Sequence, residues 1–133
     1  MWPFGRRKTQ DLPLGGRGEQ IAADFLRKQG LVILARNFRC PSGEVDIVAL
    51  DKSTGPRGGE TIVFVEVKTR RDDRVMAPET AVDARKQDQV RRAARYYLAG
   101  RDTTGLLTRF DIVAIVLPQG QQPRIRHLVN AFE

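Results

Sequence analysis

Apolar residues recur at two different periods along the chain, and the switching between those periods predicts its elements. From Gly18 the segment GEQIAADFLRKQG sets Ile21, Ala22, Phe25 and Leu26 at helical spacing and closes on Gly30, a residue suited to a helix C-terminus. LVILARNFR, residues 31–39, is rich in β-branched and apolar side chains instead. CPSG then supplies a turn into EVDIVALD, so two antiparallel strands are expected. After the glycine-dense loop KSTGPRGGE, the run TIVFVEVKT is apolar on both faces and belongs in the middle of a sheet. A polar connector, DDRVMAP over residues 72–78, leads into a long helix over 79–99, where Val82, Val90, Ala93, Ala94, Tyr97 and Leu98 keep helical spacing. RFDIVAIVL is a further near-continuous apolar strand, and PRIRHLVNAF gives a weaker last one.

A strand, a long helix and another buried strand predict a right-handed crossover with parallel pairing. The order αβββαββ therefore specifies an α/β fold in which helices flank a mixed sheet. Residues 1–14 mix proline, glycine and charge without periodicity and read as a flexible lead-in. Residues 15–133 have the length of one ordinary domain.

Composition narrows the setting. A hydrophobic fraction of 41% with 29% charged residues argues against global disorder. Cys40 is alone, which excludes an intramolecular disulfide and fits a reducing cytoplasm. No apolar run approaches the ~18 residues of a membrane span, and MWPFGRRKTQ lacks the apolar core of a secretory signal. The net charge is +7, carried by 18 Arg against 5 Lys. Arginine's planar fork suits phosphate, so a polyanionic partner is raised above its base rate, the plainer alternatives being a solvated basic surface or a genomic compositional bias. With one histidine, His127, a His-based metal site or a Ser/His/Asp triad has little support, and packing or surface is its default role.

The acidic residues raise the chemical question. Period two puts Glu44, Asp46, Val48 and Leu50 on one face of GEVDIVAL, and Ile62, Phe64, Glu66 and Lys68 on one face of TIVFVEVKT. A hairpin centred near Pro56 sets Asp46 opposite Glu66 and Glu44 opposite Lys68. Facing carboxylates call for a cation, a shared proton or a basic side chain between them. Mg²⁺ is the simplest candidate, since it takes one or two carboxylates plus waters and phosphate oxygens. Lys68 beside it would orient a nucleophile or stabilise the charge of a phosphodiester transition state. The plainer alternative is a Glu44–Lys68 ion pair at the sheet's rim, with Asp46 and Glu66 reaching water. Glu19, at the margin of its helical stripe, either leans toward the same site or interacts with the helix dipole. Lys86 sits on an apolar stripe, where a lysine commonly snorkels. Arg70 and Arg71, with Arg85, Arg91, Arg92 and Arg95 on the second helix, are candidate phosphate contacts.

Asp46 followed by EVK at Glu66 to Lys68 resembles the PD-(D/E)xK nuclease signature, with Val45 where that pattern has proline. Joined to GRGEQIAADFL, ARNFRCPSGEVDIVAL, FVEVKTR, the Lys86 helix and RFDIVAI, the chain resembles the YraN-like family from about Gly15 to its end. That family is distantly similar to archaeal Holliday junction resolvases. The resemblance implies a restriction-endonuclease-like fold, with Asp46, Glu66 and the Val67 carbonyl as ligands of Mg²⁺ or Mn²⁺. It further implies Lys68 as catalytic lysine and Glu19 as an auxiliary acid from the first helix. Arg70, Arg71 and Lys86 are the residues expected to touch nucleic acid. The expected activity is metal-dependent cleavage of branched or otherwise structured DNA. A homodimer is one way such a chain would cut both strands. The competing readings are a non-catalytic nucleic-acid-binding module and a protein-interaction domain that keeps the acidic pocket as a relic.

Overall fold

A computed structural model describes residues 14–53, 59–72 and 82–133. The elements run α1 Leu14–Lys28, β1 Val32–Cys40, β2 Gly43–Asp51, β3 Thr61–Arg70, α2 Ala84–Ala99, β4 Leu107–Val116 and β5 Arg124–Phe132. The five strands form a single sheet in chain order; β3 pairs with β4 in parallel and every other neighbouring pair is antiparallel. Helices thus flank a mixed sheet, as the hydrophobic periods require, and β3 is its central strand.

Two apolar clusters hold the helices to opposite faces. Ala22, Ala23 and Leu26 of α1 pack on Ile47, Val63, Val65, Val113 and Ile115. Val90, Ala93 and Tyr97 of α2 pack on Val48, Ile62, Phe64 and Ile112. With side chains committed to both clusters, Thr61 through Val67 are all buried, which is why that stretch of β3 reads as continuously apolar apart from Thr61 and Glu66.

The α1 helix begins at Leu14, four residues before the predicted start at Gly18. Leu14 extends the stripe by one turn and packs against the α1-side core. Its C-terminus is closed by Gly30 at φ 93, with Gly30 N–H donating to the Arg27 carbonyl and Leu31 N–H to the Leu26 carbonyl, the two bonds of a Schellman motif. The α2 helix is capped by Asp83, whose carboxylate accepts from the Lys86 N–H at 2.9 Å. The lead-in 1–13, the hairpin centre at Pro56 and most of the connector with the first residues of the predicted second helix, 73–81, lie outside the described residues.

Strict alternation fails once in β2. Ile47 and Ala49 belong to the α1 cluster, yet Val45 joins Val48 in the α2 cluster. The expectation that Glu44, Asp46, Val48 and Leu50 share one face is therefore corrected: the face changes at Asp46. The partner strand β1 carries a matching irregularity at Asn37, whose φ of 51 is a left-handed conformation that asparagine tolerates.

A second charged cluster lies toward the other end of β2 and β3. Asp111 is fully buried and receives Arg109 at 3.0 and 3.2 Å, His127 Nε2 at 2.7 Å and the Asn130 N–H at 2.9 Å. Arg109 also reaches Asp51 at 3.0 Å. Burial pushes the Asp111 carboxyl up, but the bonds from His127, Arg109 and Asn130 outweigh it and hold it below the usual carboxylate range. The cluster fixes β5 where its register on β4 shifts between Phe110 and Ile112. His127 thus serves packing.

Candidate functional site

The candidate site is created by a fork in the sheet. The β2–β3 ladder runs from Asp51/Thr61 to Ile47/Val65 in the predicted register, and no further pair continues it. The β3–β4 ladder continues to Arg70/Val116. Past Val65 a side chain takes over from the missing strand partner: the Val67 N–H donates to Asp46 Oδ2 at 2.8 Å. The buried main-chain donor is satisfied, and the Asp46 carboxylate is pinned in the fork.

Two glycines let the helices close over it. A Cβ on Gly18 would stand 1.8 Å from Thr69 Oγ1, so α1 approaches β3 closely and carries the adjacent Glu19 to the fork. A Cβ on Gly43 would stand 2.1 Å from the Gln89 carbonyl oxygen, so α2 lies equally close to β2, with Lys86 one turn nearer its N-terminus. The result is a cavity of about 530 Å³ lined by Glu19, Asp46, Glu66, Val67, Lys68 and Lys86, with Arg70, Asp83, Arg85 and Gln89 also in its wall.

Glu66 is the most heavily perturbed group in it. It is only 3% exposed, and its Oε1 has no hydrogen-bond partner. Burial, reinforced by the neighbouring Asp46 carboxylate, pushes the Glu66 carboxyl up to about 9. Glu66 therefore keeps its own proton near neutral pH, with the Asp46 carboxylate as its neighbour. Burial and then Asp46 also raise Glu19, against a hydrogen bond from Asn37 and the nearby Arg36 charge.

The basic groups are arranged differently from the sequence reading. Glu44 does not pair with Lys68; its Oε1 lies 3.1 Å from Lys86 Nζ and its Oε2 3.5 Å from Arg39 Nε. Lys86 Nζ also lies 3.5 Å from Glu66 Oε2. Burial lowers the Lys86 ammonium, but Glu66 and Glu44 outweigh it and the net shift is upward. Lys86 therefore turns its charge inward onto the acids. Lys68 lines the same cavity and makes no salt bridge to a described residue. Arg70 is in the wall and Arg71 is exposed beyond it. Asn37 and Arg39 are the members that sequence reasoning missed; an asparagine inside a predicted strand, where that residue is depleted, was the available signal.

Paired carboxylates are the donors that a hard divalent cation takes. Asp46 and Glu66 share the cavity, and Glu66 Oε1 is a buried oxygen lacking a partner. Among the described residues, no three His, Cys, Asp or Glu side chains are grouped to hold an ion by themselves. Two carboxylates would need a main-chain oxygen, water or substrate phosphate to complete a shell, which is the habit of Mg²⁺. No helix among the described residues is long and apolar enough to cross a membrane.

Residues 18–115 match the pattern of the uncharacterised protein family UPF0102. A UPF0102 protein of Pelobacter propionicus is 49% identical across 98% of this chain and 90% of its own length. One from Geobacter sulfurreducens is 44% identical across 98% of this chain and 97% of its own. One from Syntrophotalea carbinolica is 47% identical across 93% of this chain and 94% of its own. The chain belongs to the UPF0102, or YraN-like, family.

Proposed function

We propose that this chain has a restriction-endonuclease-like fold and is a metal-dependent endonuclease that hydrolyses phosphodiester bonds in structured or branched DNA. The observation that carries the reading is the meeting of Asp46 and Glu66 in one cavity, with a buried Glu66 oxygen left without a partner and Lys68 in the same wall. Asp46 and Glu66 would hold Mg²⁺ or Mn²⁺, and the Val67 carbonyl would add a donor. The N–H and C=O of one strand residue point to the same neighbour, so this carbonyl is directed into the gap where Asp46 meets the Val67 N–H. When bound, the ion supplies Lewis-acid stabilisation of charge on the transferring phosphoryl group.

The remaining steps fall to the chain's own groups. The Lys68 ammonium stabilises the added negative charge of the phosphodiester transition state and orients the attacking water. Glu19 lines the same cavity as an auxiliary acid, its carboxyl raised by burial and by the Asp46 charge. Arg70 and Arg71 meet the phosphates flanking the scissile bond. A single thiol and a net charge of +7 fit a cytoplasmic place of action on nucleic acid.

A second reading has its own support. Lys86 already lies within ion-pair distance of Glu44 and Glu66, so the acids are partly neutralised without any metal. This favours a non-catalytic nucleic-acid-binding module on the same fold. Flap, junction and single-stranded substrates incubated with Mg²⁺ or Mn²⁺ separate the two. Cleavage lost in Lys68→Ala supports the nuclease. Cleavage unchanged in that variant refutes the assigned roles, and salt-sensitive binding with no cutting of any substrate favours the module.

A further inference from the structure

We infer that the outward face of α2 is a track for an unpaired nucleic-acid strand, leading from the candidate site to an exposed aromatic platform at Tyr96. The inference rests on reading the cavity as one that acts on nucleic acid, and it names the form of substrate. Arg85 and Gln89 belong to the cavity wall. Arg92 and Tyr96 lie seven and eleven residues beyond Arg85, close to the same line along a helix of 3.6 residues per turn, with Arg95 on its flank. At 1.5 Å per residue the stripe is about 16 Å long.

Its chemistry differs from that of an ordinary solvated helix face. Arg85, Arg92 and Arg95 are exposed and make no salt bridge to a described residue. On the same helix, Arg91 is committed to Asp88 at 2.7 Å and to Gln87 at 3.2 Å. The acid adjoining the stripe is thus already neutralised, and the arginines on it are left for an outside anion.

The aromatic end is what selects the occupant. Tyr96 is 58% exposed, and Phe38 of β1 stands beside it with ring centroids 6.3 Å apart. Tyr97 is buried, with the Arg101 guanidinium 3.7 Å from its ring centroid. Tyr96 is therefore the tyrosine of α2 with surface to offer. A duplex presents phosphates to a basic stripe but keeps its bases stacked on one another. An unpaired strand supplies both phosphates for the arginines and a base to stack on Tyr96.

The test uses the full chain in EDTA, so that binding is measured without cleavage. Fluorescence anisotropy compares a blunt duplex with the same duplex carrying a single-stranded tail, across a salt series. The tailed duplex is expected to bind more tightly. Tyr96→Ala should weaken tailed binding at least about fivefold and leave blunt binding unchanged, while Tyr96→Phe keeps wild-type affinity. Arg92→Ala with Arg95→Ala should make the slope of log affinity on log salt shallower by roughly 1.4 for the tail. Equal affinity for tailed and blunt DNA, or an unaltered Tyr96→Ala, overturns the inference. So does binding to phosphatidylserine vesicles without DNA binding, which would reassign the stripe to a membrane surface. Junction cleavage in Mn²⁺ without a tail preference leaves the nuclease reading standing and removes the track; tail binding without any cleavage does the reverse.

Discussion

Lys86 Nζ lies 3.1 Å from Glu44 Oε1 and 3.5 Å from Glu66 Oε2, so one ammonium from α2 joins acids on two adjacent strands. Replacing it with methionine keeps the stem that packs along the helix and removes the charge. Lys86→Met should destabilise the chain by about 1–3 kcal/mol, nearer the lower figure because the Lys86 side chain is partly exposed. Lys86→Arg should recover most of that. Urea midpoints for the three proteins check it.

Glu66 makes stability depend on pH with a definite sign. Its folded value of about 9 lies above the ordinary 4.5, so between the two the folded chain binds more protons than the unfolded one. The stability this contributes is fully present below 4.5 and is lost as pH rises toward 9. Glu66→Gln, neutral throughout, should flatten that decline. Denaturant melts of both proteins at about pH 5 and about pH 9 measure it; parallel pH dependence would show that the Glu66 proton is not held as described.

Asp111 should behave in the opposite sense. Its carboxyl is held below the usual range, so the stability it contributes is present above 3.8 and disappears as pH falls through its lowered value. Asp111→Asn removes one of the two carboxylates that meet Arg109 at 3.0 Å, leaves Asp51 as its counter-charge, and should cost about 1–3 kcal/mol. Thermal melts at neutral and acid pH would show a large neutral loss and a smaller acid sensitivity in the variant.

The two close helix approaches should respond differently to a partner change. Gly18→Ala meets Thr69 Oγ1 and Cβ, whereas Gly43→Ala meets the Gln89 main-chain carbonyl. Each should cost about 1–3 kcal/mol. Thr69→Ala removes the nearest obstructing atom, so a double-mutant cycle with Gly18→Ala should show partial rescue. No side-chain truncation at position 89 should rescue Gly43→Ala.

The sheet was readable because each strand's apolar period and its turns agree with the register they form. That register aims Asp46 and Glu66 at one neighbourhood, although the ladder stops at Ile47/Val65 and Asp46 instead accepts from the Val67 N–H. The owner of the positive charge was not readable. Period two ranks residues within one hairpin, and it offered Lys68 to Glu44. The strands part before that pair can form, and Lys86 arrives from a helix that only the fold brings across. The change of face at Asp46 was hidden for a related reason, since it depends on an irregular backbone in β1. The first turn of α1 was obscured by Gly15, Gly16 and Gly18, which weaken any helical signal.

Asp46 also serves the architecture, because its carboxylate is the acceptor for the Val67 amide. An alanine there would strand that donor, at about 1–3 kcal/mol. Were the proposed cleavage to be lost in a lineage, Asp or Asn would still be selected at this position, whereas Lys68 would drift. Under the proposed mechanism, Lys68, far more than Asp46, is the position at which relatives should diverge.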